Sequence, residues 1–103
     1  VESDLFARKL AQAATDAEYQ VLQMELAENP EKGDVIQGAG GARKVRMALG
    51  SRGKRGGARV IYYVRVSRDI IWFLDLYTKG EKADLTKEEK KEIAAYIRNL
   101  KGT

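Results

Sequence analysis

The sequence predicts an α+β fold, a small antiparallel-rich sheet packed against two N-terminal helices and one C-terminal helix. Three observations carry this. Helical periodicity is confined to the two ends of the chain, strict two-residue alternation fills the middle, and the alternating runs are joined by hairpin-length connections. At 103 residues the chain is expected to form one domain with a single modest core.

The elements follow in order. Asp4 to Ala14 reads as a helix capped by Ser3, with Leu5, Phe6 and Leu10 recurring near the 3.6-residue period. Thr15-Asp16-Ala17-Glu18 is a capping box that opens a second helix running to about Glu28. Tyr19, Leu22 and Leu26 form its apolar side, with Val21 and Met24 broadening it. Asn29-Pro30 ends that helix, because the residue before proline avoids helical geometry. Gly33 to Gly41 reads as a loop with Val35 and Ile36 tucked beneath it, and Gly38-Ala39-Gly40-Gly41 as a tight turn. That glycine run is not a nucleotide-binding fingerprint, since no strand precedes it and a strand follows.

Three strands are then expected, Arg43 to Ala48, Ala58 to Val66 and Ile70 to Tyr77. Gly50 to Gly57 joins the first two as a basic hairpin loop, and Ser67-Arg68-Asp69 joins the last two as a three-residue loop. Thr86-Lys87-Glu88-Glu89 is a second capping box. It opens a final helix to about Leu100, with Ile93, Tyr96, Ile97 and Leu100 inward and the Lys87 to Lys91 charge run solvated.

Strand parity adds a prediction. The more apolar faces are Val60-Tyr62-Val64 and Trp72-Leu74-Leu76, and a three-residue loop allows both to be buried together. That register sets Arg59 opposite Tyr77 on the other face, because a one-residue slip would turn every side chain over. Val45 and Met47 complete the buried face in a core built on Val45, Val60 and Leu74, which leaves Lys44 and Arg46 beside Arg59. One sheet face is thus predicted to be a cationic surface with Tyr77 at its edge.

Charge is distributed unevenly. The first 42 residues hold eight acids and three bases, and residues 43 to 68 hold nine bases and no acid. The remaining 35 residues hold seven of each. A net charge of +4 therefore conceals a concentrated positive patch of the kind that binds a phosphate-bearing partner, with nucleic acid the first to consider. No apolar run approaches the roughly 20 residues that span a bilayer, so no membrane is expected among the partners. The chain has no cysteine and no histidine. That excludes disulfides, thiolate zinc sites, His-ligated metals and imidazole-based nucleophilic systems. Neither a metal nor a cofactor is expected, and a cytoplasmic location suits the lack of cysteine. Proton chemistry must fall to Lys, Tyr, Asp or Glu.

The succession GDVIQGAGGARKVRM, GKRGGARVIYY and LYTKGEKADLT, set in the order helix, helix, three strands, helix, resembles the RelE/HigB family of bacterial toxins, and its HigB-like branch most closely. The likeness runs from about Asp4 to the last helix. It implies the RelE/ParE-like fold and a short strand before the first helix, of which Val1 would be the stub of a clipped end. It also implies a ribosome-dependent mRNA endonuclease, with the ribosome and mRNA as partners and a cognate antitoxin of helix-turn-helix type. The two cationic positions of the family's first hairpin strand match Lys44 and Arg46, and the arginine that contacts the scissile phosphate matches Arg59. The arginine and tyrosine that complete the RelE site do not match, because Gly80 and Thr86 stand in their places; Tyr77, Lys79 or Lys82 would have to compensate. Arg43, Arg52, Lys54, Arg55 and Lys82 are the expected contacts to RNA or the ribosome.

Cleaving RNA without a metal or histidine is feasible when the ribose 2′-OH is the nucleophile. Lys44, flanked by Arg43 and Arg46, is the expected base, since neighbouring cations favour a neutral lysine. Arg46 and Arg59 suit the developing phosphate charge. The bland alternatives are a solvated strand face for Lys44 and Arg46, and an ion pair with Asp75 for Arg59. Two other functions remain open at this point, a ParE-like gyrase-inhibiting toxin and a non-catalytic nucleic-acid-binding module.

Overall fold

A computed structural model describes residues 1–50 and 56–101. Helices α1 (Asp4–Ala13) and α2 (Asp16–Glu28) form an N-terminal hairpin. The Ser3 hydroxyl accepts from the Phe6 amide at 3.0 Å and caps α1. At α2 the capping box is reciprocal, with the Glu18 amide donating to Thr15 Oγ1 at 3.1 Å and the Thr15 amide to Glu18 Oε1 at 2.8 Å. Two amides that a helix start would leave unpaired are satisfied in this way.

The sheet has strands β1 (Asp34–Val35), β2 (Arg43–Met47), β3 (Ala58–Arg65) and β4 (Ile70–Thr78), antiparallel and ordered β1-β2-β3-β4. The two-residue β1 replaces part of the expected glycine-rich loop. Of its two apolar residues Ile36 is buried, whereas Val35 is 58% exposed rather than tucked in. Glu2 forms an isolated parallel bridge to Phe73. Helix α3 (Lys87–Lys101) closes the described chain, and no described helix is long and apolar enough to cross a membrane.

The register departs from the expected one. Arg59 pairs with Tyr77, as parity requires, and Val60 with Leu76. Between Ile61 and Tyr62 the pairing shifts, so that Ile61 faces Asp75 but Tyr62 faces Phe73. Leu74 is the extra residue of this β-bulge. One additional residue turns everything beyond it to the other face. Trp72 and Leu74 therefore leave the expected core, and Phe73 takes their place in it. The turn changes to match. Val66–Arg68 forms a short 3-10 turn and Asp69 adopts the left-handed conformation at φ 55°, giving a four-residue connection in place of three. An aspartate tolerates that conformation better than most side chains.

The sheet consequently has a core on each face. On one, Phe6, Tyr19, Leu22 and Leu26 of the α-hairpin cover Val45, Met47, Val60, Tyr62, Phe73 and Leu76. Phe6, Tyr19 and Phe73 meet ring to ring, with centroids 5.2 to 5.6 Å apart, within the range in which aromatic pairs add to simple burial. Val21 and Met24 remain exposed. On the other face Ile93 and Ile97 of α3 pack on Ile61, Leu74 and Tyr77, with Ile36, Ala39, Ala42 and Leu85 at the margin. Helix α3 thus covers the middle of the face expected to be an open cationic surface, and leaves its charges at the ends.

Candidate functional site

Alternation along β2 and β3 places Lys44, Arg46 and Arg59 on the α3 side of the sheet. Lys44 pairs with Ile61, and Arg46 with Arg59. Directly opposed like charges repel, yet both guanidinium groups turn to one acceptor. Arg46 Nε donates to the Gly56 carbonyl at 3.2 Å, and Arg59 Nη1 donates to it at 2.9 Å. A single carbonyl dipole holds the two forks together. A Cβ added at Gly56 would stand 2.8 Å from Lys79 Cδ, so the Lys79 side chain lies across the same backbone. Three long cations from β2, β3 and the start of the β4–α3 loop converge at the loop end of the β2–β3 hairpin.

Lys44 lies one pleat further along. Its Nζ is 3.5 Å from Asp84 Oδ1. Asp84 is held below the ordinary carboxylate range, first by the Leu85 amide and then by the nearby Lys44 and Lys90 charges. It is therefore an anion at neutral pH, set against the cationic cluster.

Tyr77 is not the exposed tyrosine that the alternation implied. It is fully buried beneath α3, because the helix that covers its face is a tertiary feature. Its hydroxyl is 3.5 Å from Asp84 Oδ1, at the limit of a hydrogen bond. Burial, followed by the Asp84 charge, raises the phenol above its ordinary value. Lys82 Nζ sits 5.5 Å from the centre of that ring and is paired with Glu89, so it packs into the site wall.

Arg43 has a different role. It belongs to the Val45–Met47 side of β2, where it donates to the Gly33 carbonyl at 2.8 Å and the Glu31 carbonyl at 3.2 Å, and pairs with Glu31 Oε2 at 3.4 Å. It fastens the segment after α2 and does not join Lys44 and Arg46. Arg52, Lys54 and Arg55 lie outside the described residues. Asp75 makes no ion pair with Arg59; it is buried and bound to Lys9 at 2.7 Å.

Asp84 and Gly56 were missed from the sequence. Asp84 reads there as a loop acid two residues before the cap of α3, and nothing local says that α3 will bring it to Lys44. Gly56 reads only as hinge material for a loop.

An α-hairpin on one face of an antiparallel sheet, a C-terminal helix on the other and a knot of cations at one strand end together form the α+β architecture of RelE-like toxins. A family model described as the RelE toxin of the RelE/RelB toxin–antitoxin system matches residues 5–102, and the chain belongs to that family. It is the toxin of a toxin–antitoxin pair, with a cognate antitoxin as its partner.

Proposed function

We propose that this toxin is a ribosome-dependent mRNA endonuclease of the HigB-like branch, acting in the cytoplasm and neutralised by a helix-turn-helix antitoxin. The observation that supports it best is the convergence of Arg46 and Arg59 on the Gly56 carbonyl, with Lys79 over the same glycine and Lys44 on the same face. A phosphate entering there replaces one weak acceptor with charged oxygens that both guanidinium forks can grip.

The reaction runs in line. The 2′ oxygen bonds to phosphorus as the bond from phosphorus to the 5′ oxygen breaks, giving a 2′,3′-cyclic phosphate and a free 5′-OH. Arg46, Arg59 and Lys79 stabilise the charge that builds on the phosphorane. The proton roles follow from the Lys44–Asp84 pair. Lys44 stands beside an ionised carboxylate, so it serves as proton donor to the 5′ oxygen rather than as the base expected from its cationic neighbours. Asp84, an ionised and accessible carboxylate, takes the 2′ proton. Tyr77 contributes by holding Asp84, and Lys82 by packing on Tyr77.

Aligning a flexible message for in-line attack is a large part of the barrier, and a domain of this size offers few groups to do it. Cleavage is therefore expected on programmed ribosomes and to be nearly absent on naked mRNA, as read by primer extension on both substrates. Equal cutting of naked mRNA rejects ribosome dependence. No cutting of either substrate, together with inhibition of gyrase supercoiling, supports a ParE-like toxin; no effect in any of these assays leaves a binding module.

A further inference from the structure

Helix α3 segregates its charges. At 3.6 residues per turn, Lys87, Lys90, Lys91, Arg98 and Lys101 all project within an arc of about 100°. Glu88, Glu89 and Glu92 lie outside that arc, and Glu89 and Glu92 line the groove toward α1. Arg98 and Lys101, in the last turn, suit the helix dipole, but the stripe also carries unfavourable pairs. Lys87 stands at the start of the helix, where the dipole disfavours a cation, and Lys87–Lys90, Lys87–Lys91 and Arg98–Lys101 are like-charge neighbours at three- and four-residue spacing. Among the described residues none of the five makes an ion pair. A helix face that served only for solubility would mix the two signs.

The position of this stripe gives it a direction. Ala94, at its centre, packs on the Gly40 turn, where a Cβ on Gly40 would stand 2.9 Å from Ala94 Cα. At one end Lys90 acts electrostatically on Asp84, which contacts Lys44. At the other end Lys101 Nζ lies 5.7 Å from the centre of the Tyr63 ring, and Arg65 donates to the Leu100 carbonyl at 3.3 Å. The cations thus run from the cleavage cluster along α3 for roughly 20 Å, taking 1.5 Å per residue.

We infer that this stripe is a track for the message itself, binding the backbone phosphates of the strand whose scissile phosphate sits at Arg46 and Arg59. This rests on the endonuclease reading. Continuity with Lys44 selects the message over ribosomal RNA, because the phosphates next to the scissile one belong to the same strand.

The test uses single-stranded RNA made uncleavable by a 2′-deoxy sugar at the cut position, in a three-nucleotide and a twelve-nucleotide form. Their binding to the whole protein is measured by fluorescence anisotropy across a salt series. The variant is Lys91→Gln/Arg98→Gln/Lys101→Gln, which changes exposed positions to a good helix former and leaves the cleavage cluster intact. The long RNA should bind about tenfold or more weakly at low salt. Its salt slope should fall by about two, at about 0.7 per neutralised phosphate on a single strand. Binding of the short RNA should change less than twofold. A Glu88→Gln/Glu92→Gln variant, which alters charge off the stripe, should not reproduce the selective change in the long RNA.

Unchanged binding of the long RNA overturns the track, as does equal weakening on both RNAs, which is a general charge effect. Loss of ribosome binding with long-RNA binding intact assigns the stripe to ribosomal RNA and also overturns it. Failure of the endonuclease reading is seen separately, as intact RNA on programmed ribosomes with the unaltered protein.

Discussion

Arg46 and Arg59 share a carbonyl that cannot satisfy two guanidinium groups fully, and a bound phosphate would complete what Gly56 begins. Arg59→Ala should slow single-turnover cleavage on ribosomes by about 10²-fold, comparable with the removal of one oxyanion donor. Lys44→Arg should be nearly as slow, because an arginine keeps the charge but does not release its proton at usable pH. Asp84→Asn should cost about 10² or more by removing the proton acceptor. Circular dichroism and thermal unfolding should change little for all three, since the side chains stand at the rim of the sheet. Full activity of Lys44→Arg would reduce Lys44 to a charge, and full activity of Asp84→Asn would leave the 2′ proton without its assigned acceptor. The cationic half of this arrangement was legible in the sequence, because period-two alternation places Lys44 and Arg46 on one face whatever else happens. The Asp84 half was not, since it depends on a loop held by the docking of a helix onto the sheet. The fate of Tyr77 has the same origin. Alternation gave its face correctly and said nothing about the cover that α3 places over that face.

Among the elements, the helices were the most readable, because their starts are written in short-range chemistry. Thr15 with Glu18 and Thr86 with Glu89 each satisfy the amides that a helix start exposes. Strand register was less readable. A bulge at Leu74 inserts one residue, and nothing in Ile70 to Tyr77 distinguishes the residue that will go unpaired. Both Phe73 and Leu74 are apolar, and with a core on each face either side of the strand can bury them. The docking of α3 on the glycine-rich turn can be tested directly. Gly40 has φ +71°, and a Cβ there would meet the Ala94 backbone at 2.9 Å. Gly40→Ala therefore combines a left-handed backbone penalty with an overpacked neighbour, and should cost about 2 kcal/mol or more in denaturant unfolding. Gly38→Ala shares the positive φ of 80° but has open space around it, and should cost about 1 kcal/mol less. Equal destabilisation at the two positions would mean that the Ala94 packing yields freely.

Over the whole molecule, charge separates by region. The acidic N-terminal third forms the α-hairpin on one face of the sheet, while Lys44, Arg46, Arg59 and the cations of α3 lie on the other. Such a charge dipole can orient the toxin toward a phosphate-rich surface before the two touch. Arg52, Lys54 and Arg55 precede Gly56 in the sequence and carry three of the nine bases of residues 43 to 68. Their expected task is docking rather than chemistry, because catalytic geometry is better held by the paired strands that carry Lys44, Arg46 and Arg59. Replacing all three with Ala should weaken ribosome association and lower its salt slope by about one for every phosphate left without its cation. The single-turnover rate at saturating toxin should stay within about threefold, since no group assigned to phosphate charge or proton transfer is removed. The two quantities separate cleanly, with association read from filter binding across a salt series and the rate from rapid-quench cleavage at saturation. A fall of about 10²-fold in the saturated rate with association unchanged would place the loop in the reaction centre. Arg46 and Arg59 would then be its supports rather than the principal phosphate ligands.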